Sequence, residues 1–371
     1  MDAQAYVMDF AEQADIRING SRPWDVTVYN QNLYKRILTQ GTLGLGEAYM
    51  EGWWDCPAID QMISRALGVE LDKQVGKNLK TVIHKLMITF LNLQSQTRSQ
   101  EVARRHYNID HALFEAMLDP YMQYSCGYWK DAHTLEKAQL DKMELICQKL
   151  HLCSGMTVLD IGCGWGGLGR YMARRYGVRV TGITISTEQM RYAREWSQHM
   201  DVEIRNEDYR NLEGQWDRVV SVGMFEHVGC HNYTTFFDIA RQCLKPDGLF
   251  LLHTIGGNGG IDSGSDPWLE RYIFPNGVLP TALQITKTMK DMFIIEDWHN
   301  FGAYYDATLM AWYARLSKAW AEERIVCSET MRRMFTYYLL SCAGVARTRN
   351  MQLWQLVLSP AGVKGGYESV R

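Results

Sequence analysis

Three groups of residues in this 371-residue chain have the types and spacing to do chemistry. The first is a glycine-rich turn, Val158-Leu159-Asp160-Ile161-Gly162-Cys163-Gly164-Trp165-Gly166-Gly167, in which an apolar run ends on small residues. Without Cβ atoms the backbone there can approach a ligand closely, and the helix read from Leu168 to Arg175 offers unpaired N–H groups at its start. Gly162 and Gly164 are expected to leave room that any side chain would fill. The second group is Glu226, in Gly223-Met-Phe-Glu226-His227-Val228, and His253, each following an apolar strand-like run. Ligands of open α/β sheets bind outside the carboxyl ends of strands, so both residues are expected just past such ends. The third is the aromatic loop Asp119-Pro-Tyr-Met-Gln-Tyr124-Ser125-Cys126-Gly127-Tyr128-Trp129, with one thiol inside it.

The elements that must position these groups read as α/β from Met156 onward. Val158–Ile161 is a buried parallel strand, and Val178–Ile185 a second one that completes a βαβ unit. Ser186-Thr-Glu-Gln189 opens the next helix as a capping box. Val202–Ile204 and Trp216–Val222 are further strands, Lys245–Gly248 is a turn feeding Leu249–Leu252, and Gln352–Leu358 suits a closing antiparallel hairpin. The glycine pattern G-x-G-x-G-G, and a second strand ending at Thr184 without a carboxylate, depart from the dinucleotide fingerprint. With Asp160 before the glycines, the turn resembles motif I of the S-adenosylmethionine (SAM) methyltransferases.

Upstream, Phe10–Arg17 reads as a helix, Val26–Tyr29 as a strand, and the glycine- and aromatic-rich run 41–55 as packing. Lys77–Leu93 is an amphipathic helix with Lys77, Lys80 and Lys85 beside apolar residues, a pattern that suits an anionic membrane surface or ordinary packing. Thr134 is the expected N-cap of a helix running to Leu150. Gly256–Ser265 is a lid or surface loop, 266–295 an insertion, and long helices continue to about residue 350. The reading divides the chain into a mainly helical N-terminal domain, 1–100, and a catalytic domain, 101–371, with helical insertions around 266–350.

With 46% hydrophobic residues the chain can bury a large core, and a formal charge of −3 gives no global field for nucleic acid. Nine cysteines without CxxC pairs or zinc spacing suggest free thiols in a reducing cytoplasm, with no secretory signal and no metal site expected. No apolar run reaches the roughly 20 residues a membrane span needs.

The motifs Tyr-Ser-Cys-Gly-Tyr-Trp (124–129), Leu-Asp-Ile-Gly-Cys-Gly-Trp-Gly-Gly (159–167), Gly-Met-Phe-Glu-His-Val-Gly (223–229), Leu-His-Thr-Ile-Gly (252–256) and Trp-His-Asn-Phe-Gly followed by Tyr-Tyr-Asp (298–306) occur in order along nearly the whole chain. Together they resemble the cyclopropane fatty acid synthase family, and residues 1–100 favour its phospholipid-acting branch. The resemblance implies a Rossmann-like class I methyltransferase domain. It also implies methylene transfer from SAM to the cis double bond of an unsaturated phospholipid acyl chain, through a carbocation deprotonated by bound bicarbonate. It carries the bicarbonate cage onto Cys126, Glu226, His253, the backbone of Ile255 and Tyr305, with Tyr304 as a register competitor. SAM contacts fall on Tyr124, Ser125, Asp160, Gly162, Gly164, Trp165, Gly166, Gly167, Thr184, Gln189, Asp208 and Tyr209. A homodimer working from the cytoplasmic face of the membrane is also implied. A SAM-dependent lipid C-methyltransferase giving a branched or methylene product is the alternative. Thiol, phenol and imidazole can all donate to an anion, but a glutamate facing one needs a proton between them.

Overall fold

The computed structural model describes residues 2–69, 111–258 and 266–371. The helix expected at 77–93 and its lysines lie outside the described residues, as does most of the 256–265 loop. In chain order the strands are β1 (Thr27–Val28), β2 (Trp54–Asp55), β3 (Thr157–Ile161), β4 (Arg179–Thr184), β5 (Val202–Asn206), β6 (Trp216–Val222), β7 (Leu244–Gly257), β8 (Ile294–Asn300) and β9 (Met351–Ser359). The chain forms two compact units: Met1–Leu91, Gly264–Pro275 and Tyr305–Met351 in one, Asn92–Ser263, Asn276–Tyr304 and Gln352–Arg371 in the other.

The second unit is built on a seven-stranded sheet of order β5-β4-β3-β6-β7-β9-β8. β3 to β7 pair in parallel, and β8 pairs antiparallel with β9. Strands covered on both faces need apolar residues at successive positions, and Leu249, Phe250, Leu251 and Leu252 are all buried. Alternation then sorts them. Leu159, Ile161, Phe250 and Leu252 enter a core with Phe225, Phe236 and Phe237. Val158, Val220 and Leu251 enter another with Met143, Ile146 and Met172. The strand order runs outward in opposite directions from β3 and β6, so a crevice opens at their carboxyl ends. The glycine turn and the Glu226 segment follow those two ends.

The first unit contains the helices Ala3–Gln13, Asn32–Met50 and Ile59–Gly68, the β1–β2 pair, Pro267–Tyr272, and most of two long helices, Tyr304–Ala321 and Glu329–Arg347. Its aromatic core packs Tyr49, Trp54, Trp268 and Tyr337 at centroid distances of 4.7–6.2 Å. Gly46 admits the Trp268 indole, which would lie 2.4 Å from any Cβ there. Its charges are paired: Arg22 holds Asp15 and Asp25, Arg36 holds Glu47 and Glu51, and Arg347 holds Asp60 and Asp306. No helix among the described residues is long and apolar enough to cross a membrane.

Several sequence expectations shift. The first helix is Ala3–Gln13 rather than 10–17, because Asp2 caps its start and Asp15 turns the chain with φ +52°. The ladder of β6 and β7 jumps from Trp216↔Leu244 to Arg218↔Leu249, so Lys245–Gly248 is a bulge within β7. β8 and β9 are antiparallel, but two helices separate them in sequence, so they form no hairpin. Residues 305–351 group with the N-terminal residues, where the sequence division at 100 placed them with the catalytic domain. The Thr134 cap forms as expected, accepting from Lys137 N.

Candidate active site

At the glycine turn, Gly162, Gly164 and Gly166 take φ of +85°, +55° and +74°, a region that disfavours any side chain. Their surroundings differ. A Cβ on Gly162 would meet Met224 Cγ at 2.6 Å, one on Gly166 would meet Ala193 Cβ at 3.1 Å, and one on Gly167 would sit 1.8 Å from the Tyr121 carbonyl oxygen. A Cβ on Gly164 would meet nothing within 4 Å. Gly162 is therefore small to admit Met224, and Gly164 is the one of the four that faces open space. Trp165 packs its ring 5.1 Å from Phe114, which in turn lies 5.4 Å from Tyr124.

Asp160 is the penultimate residue of β3, with its side chain buried and Oδ2 without a partner among the described residues. Burial pushes its carboxyl up to about 7. At the end of β4, the Thr184 hydroxyl donates to Gln189 Oε1 (3.0 Å) and accepts from Ser186 N (3.2 Å). Ser186 caps the next helix by accepting from Gln189 N, but the Gln189 side chain turns to Thr184, so only half of the capping box forms. Asp208 pairs with Arg210 at 2.7 Å and caps a short 3₁₀ turn. The Tyr209 ring is a core residue, 5.5 Å from Phe236. These two were read as flanking adenine. Asp208 is engaged by Arg210, and the Tyr209 hydroxyl is buried without a hydrogen-bond partner among the described residues.

The aromatic loop is held from below by the helix Leu135–Lys149. Asp119 accepts from Tyr121 N (2.9 Å) and Gln123 N (2.8 Å), Gln139 Nε2 donates to the Ser125 carbonyl (2.8 Å), and Lys142 Nζ donates to Ser125 Oγ (2.7 Å). Cys126 is fully buried, and its thiol donates to the Gly127 carbonyl at 3.3 Å. A Cβ on Gly223, the residue after β6, would lie 3.8 Å from Ser125 Cβ, so the loop reaches the crevice.

Glu226 occupies a 3₁₀ turn, Phe225–His227, after β6. Ile255 N donates to its Oε1 at 2.6 Å, while Oε2 is buried without a partner. Burial raises the carboxyl to about 7 against the opposing pull of Ile255 N–H and Thr254. His253 lies within β7, opposite Val222, rather than past the strand's end. Gln355 Nε2 lies 3.2 Å from its Nδ1, a contact whose direction follows the tautomer, and its Nε2 is buried without a partner among the described residues. Burial, then the charges of Lys142 and Lys149, hold its pKa well below the ordinary value. Aromatic rings continue from it: Phe301 at 5.8 Å, Tyr128 at 5.3 Å from Phe301, and Tyr304 at 5.6 Å from Tyr128.

The structure thus joins Glu226 directly to Ile255, Thr184 to Gln189, and Ser125 to the end of β6. Tyr305 belongs to the first unit, where its buried ring stands 6.2 Å from Trp312. Sequence reasoning missed Lys142, Gln139, Met224 and Gln355. Lys142 carried a readable signal: it sits four residues after Ala138 and four before Ile146, in the buried stripe of its helix.

A parallel sheet switching direction at β3 and β6, with the glycine turn opening on that crevice, defines a class I SAM-dependent methyltransferase. The family model for mycolic acid cyclopropane synthetase matches residues 94–356, and the chain belongs to that family. The cyclopropane-fatty-acyl-phospholipid synthase of Escherichia coli (strain K12) is 51% identical over 363 residues, 98% of this chain and 94% of that one. The structure of the cyclopropane synthase MmaA2 from Mycobacterium tuberculosis aligns with a TM-score of 0.66 at 31% identity, covering 72% of this chain and 99% of that one. The mycolic acid cyclopropane synthase CmaA1, complexed with S-adenosylhomocysteine (SAH) and CTAB, aligns with a TM-score of 0.65 at 30% identity, covering 70% of this chain and 97% of that one.

Proposed function

We propose that this methyltransferase adds a methylene unit from SAM across the cis double bond of an unsaturated acyl chain in membrane phospholipid, giving a cyclopropane, with bicarbonate as the proton acceptor. The observation that carries the reading is the pair of buried atoms Glu226 Oε2 and His253 Nε2, each without a hydrogen-bond partner among the described residues. Their protonation follows from their other contacts. Gln355 lies 3.2 Å from His253 Nδ1, and in the tautomer whose Nδ1 accepts from that amide the neutral ring carries its proton on Nε2. Because Glu226 Oε1 accepts from Ile255 N, a protonated carboxyl carries its proton on Oε2. Two donors without acceptors suit a small oxyanion, and the proton on Glu226 removes the clash between a carboxylate and an anion. Cys126 and Tyr305 complete the set through the family resemblance. Ile255 N–H, already bonded to Glu226, acts by fixing that carboxyl.

In the reaction the alkene π electrons form a bond to the methyl carbon as the carbon–sulfur bond breaks, leaving SAH and a carbocation on the acyl chain. Loss of one proton from the new methyl group lets its electron pair close the ring. Bicarbonate supplies the base for that proton. Phe301, Tyr128 and Tyr304, which pack on one another beyond His253, are the rings this reading assigns to sheltering the cation, at about 2 kcal/mol each when desolvated. On the cofactor side, the open space at Gly164 and the unpartnered Asp160 Oδ2 fit a ligand at the turn. The reading includes a homodimer, which rests on the family resemblance, and a place at the cytoplasmic membrane surface, supported by the basic, apolar sequence of residues 77–93.

The test is incubation with SAM and unsaturated phospholipid vesicles, followed by mass and NMR analysis of the acyl chains. A gain of one CH2 per double bond with cyclopropane proton signals is expected. The same gain with vinylic signals would instead identify a methylene-forming C-methyltransferase. Full turnover in bicarbonate-stripped buffer would remove bicarbonate from the reading.

A further inference from the structure

Lys142 is a buried ammonium without a carboxylate. It is 0% exposed, and its Nζ makes one hydrogen bond among the described residues, to Ser125 Oγ at 2.7 Å. Asp119 is the acid whose charge acts on it, yet no ion pair forms within 4 Å, and both Asp119 oxygens already accept backbone N–H groups. Burying an unpaired charge is costly, and a chain that keeps one there is arranged to meet an opposite charge. Burial lowers the Lys142 pKa to about 8, which leaves the amine largely protonated near neutral pH.

Ser125 shows where that opposite charge enters. Its hydroxyl oxygen accepts from Lys142 and has no other hydrogen bond among the described residues, so its proton has no acceptor. Its carbonyl is pinned by Gln139, which fixes the residue's orientation. Its Cβ lies 3.8 Å from the position of a Gly223 Cβ, at the carboxyl end of β6 beside the switch point. An ammonium bonded to the hydroxyl oxygen polarises the O–H and strengthens it as a donor.

We infer that Lys142 is a positioning residue that acts through Ser125 to recognise the carboxylate of the methionine moiety of SAM. The inference rests on the SAM site proposed above and extends it to a residue behind the loop. SAM has one carboxylate, and bicarbonate offers similar oxygens, so the experiment must separate the two.

Binding of SAH and of its decarboxylated analogue is measured by calorimetry on wild type, Lys142→Met and Ser125→Ala, in bicarbonate-free buffer. Methionine keeps the length and apolar body of the lysine without its charge or donors. Wild type is expected to prefer SAH, and each variant to lose about tenfold or more of that preference while binding the analogue as before. A merely structural role would weaken both ligands alike, and that outcome overturns the inference. Should Lys142→Met fail to fold, Ser125→Ala alone decides, since retention of the full carboxylate preference there overturns it too. Equal wild-type binding of both ligands also defeats it while leaving the SAM site standing, whereas no wild-type binding of either defeats the SAM site itself. Preserved SAH preference in Lys142→Met with a raised bicarbonate requirement for turnover would reassign the ammonium to the other anion.

Discussion

Asp25 in the first unit and Asp160 in the second are equally buried, each 2% exposed, and their surroundings are opposite. Asp25 accepts from Arg17 N, Arg22 N and the Arg22 guanidinium, which hold its carboxyl far below the ordinary range. Asp160 has an unpartnered oxygen, and burial raises its carboxyl to about 7. The same contrast runs through the two units. In the first, the half-buried carboxylate of Glu47 and the buried one of Asp60 also meet arginines. In the second, Asp160, Glu226, His253 and Lys142 gather near the carboxyl ends of β3, β6 and β7 and on the helix behind, with bonding capacity unused. Buried charge that is paired holds the fold, and buried bonding capacity left unmet is stability given up where a ligand binds. The Lys149–Asp297–Arg371 group shows that this unit can also pair its buried ions, so the gaps at its crevice are local.

The largest effect is expected at Glu226. Glu226→Met removes both the acceptor for Ile255 N and the donor at Oε2, and turnover should fall on the order of 10²–10⁴, read as initial rate on vesicles. Glu226→Gln retains a donor at that position and should lose markedly less. Equal damage in the two variants would show that Glu226 works as a carboxylate and would break the reading of it as a neutral acid. Next comes Asp25→Asn, which leaves the Arg22 guanidinium with Asp15 as its remaining anion. Denaturant unfolding should register a loss of about 1–2 kcal/mol, with unchanged turnover per folded molecule. An activity defect with intact stability would erase the distinction between the units.

The smallest effect concerns pH. A carboxyl raised to about 7 in the folded state binds more protons folded than unfolded between pH 4 and 7, so its contribution to stability falls as pH rises through that window. Asp25, with a depressed value, does the reverse, its contribution being lost only as pH falls below about 4. Asp160→Asn should therefore flatten the decline of Tm between pH 5 and 7.5 by about 2–4 °C for each kcal/mol involved. A decline identical to wild type would show that Asp160 does not titrate in that window.

The strands that carry the site were legible because parallel strands covered on both faces need apolar runs such as Leu249–Leu252, or Val158–Ile161 with Asp160 as its one polar residue. The glycine turn was legible as a ligand approach, but not the separate duties of Gly162 and Gly164, since Met224 reaches Gly162 from another strand's end. The Glu226–Ile255 bond depends on the register of β6 against β7, which local sequence does not state. Lys142 was passed over, despite its place in the buried stripe, because a lysine in an amphipathic helix reads as solvated by default. The grouping of residues 305–351 with the N-terminal residues is tertiary, and the apolar pattern of those helices does not announce their neighbours.

The bulge at Lys245–Gly248 also bears on how the sequence can drift. Five cross-strand pairs, Arg218↔Leu249 to Val222↔His253, run above it without interruption. Insertions or deletions in the bulge would be absorbed below the first of those pairs, leaving the phase of everything above untouched. A single residue gained or lost between Leu249 and His253 would turn the imidazole to the opposite face of the sheet. The bulge is thus a place where chain length can vary freely, and the five pairs above it are a counted stretch in which no such variation is neutral.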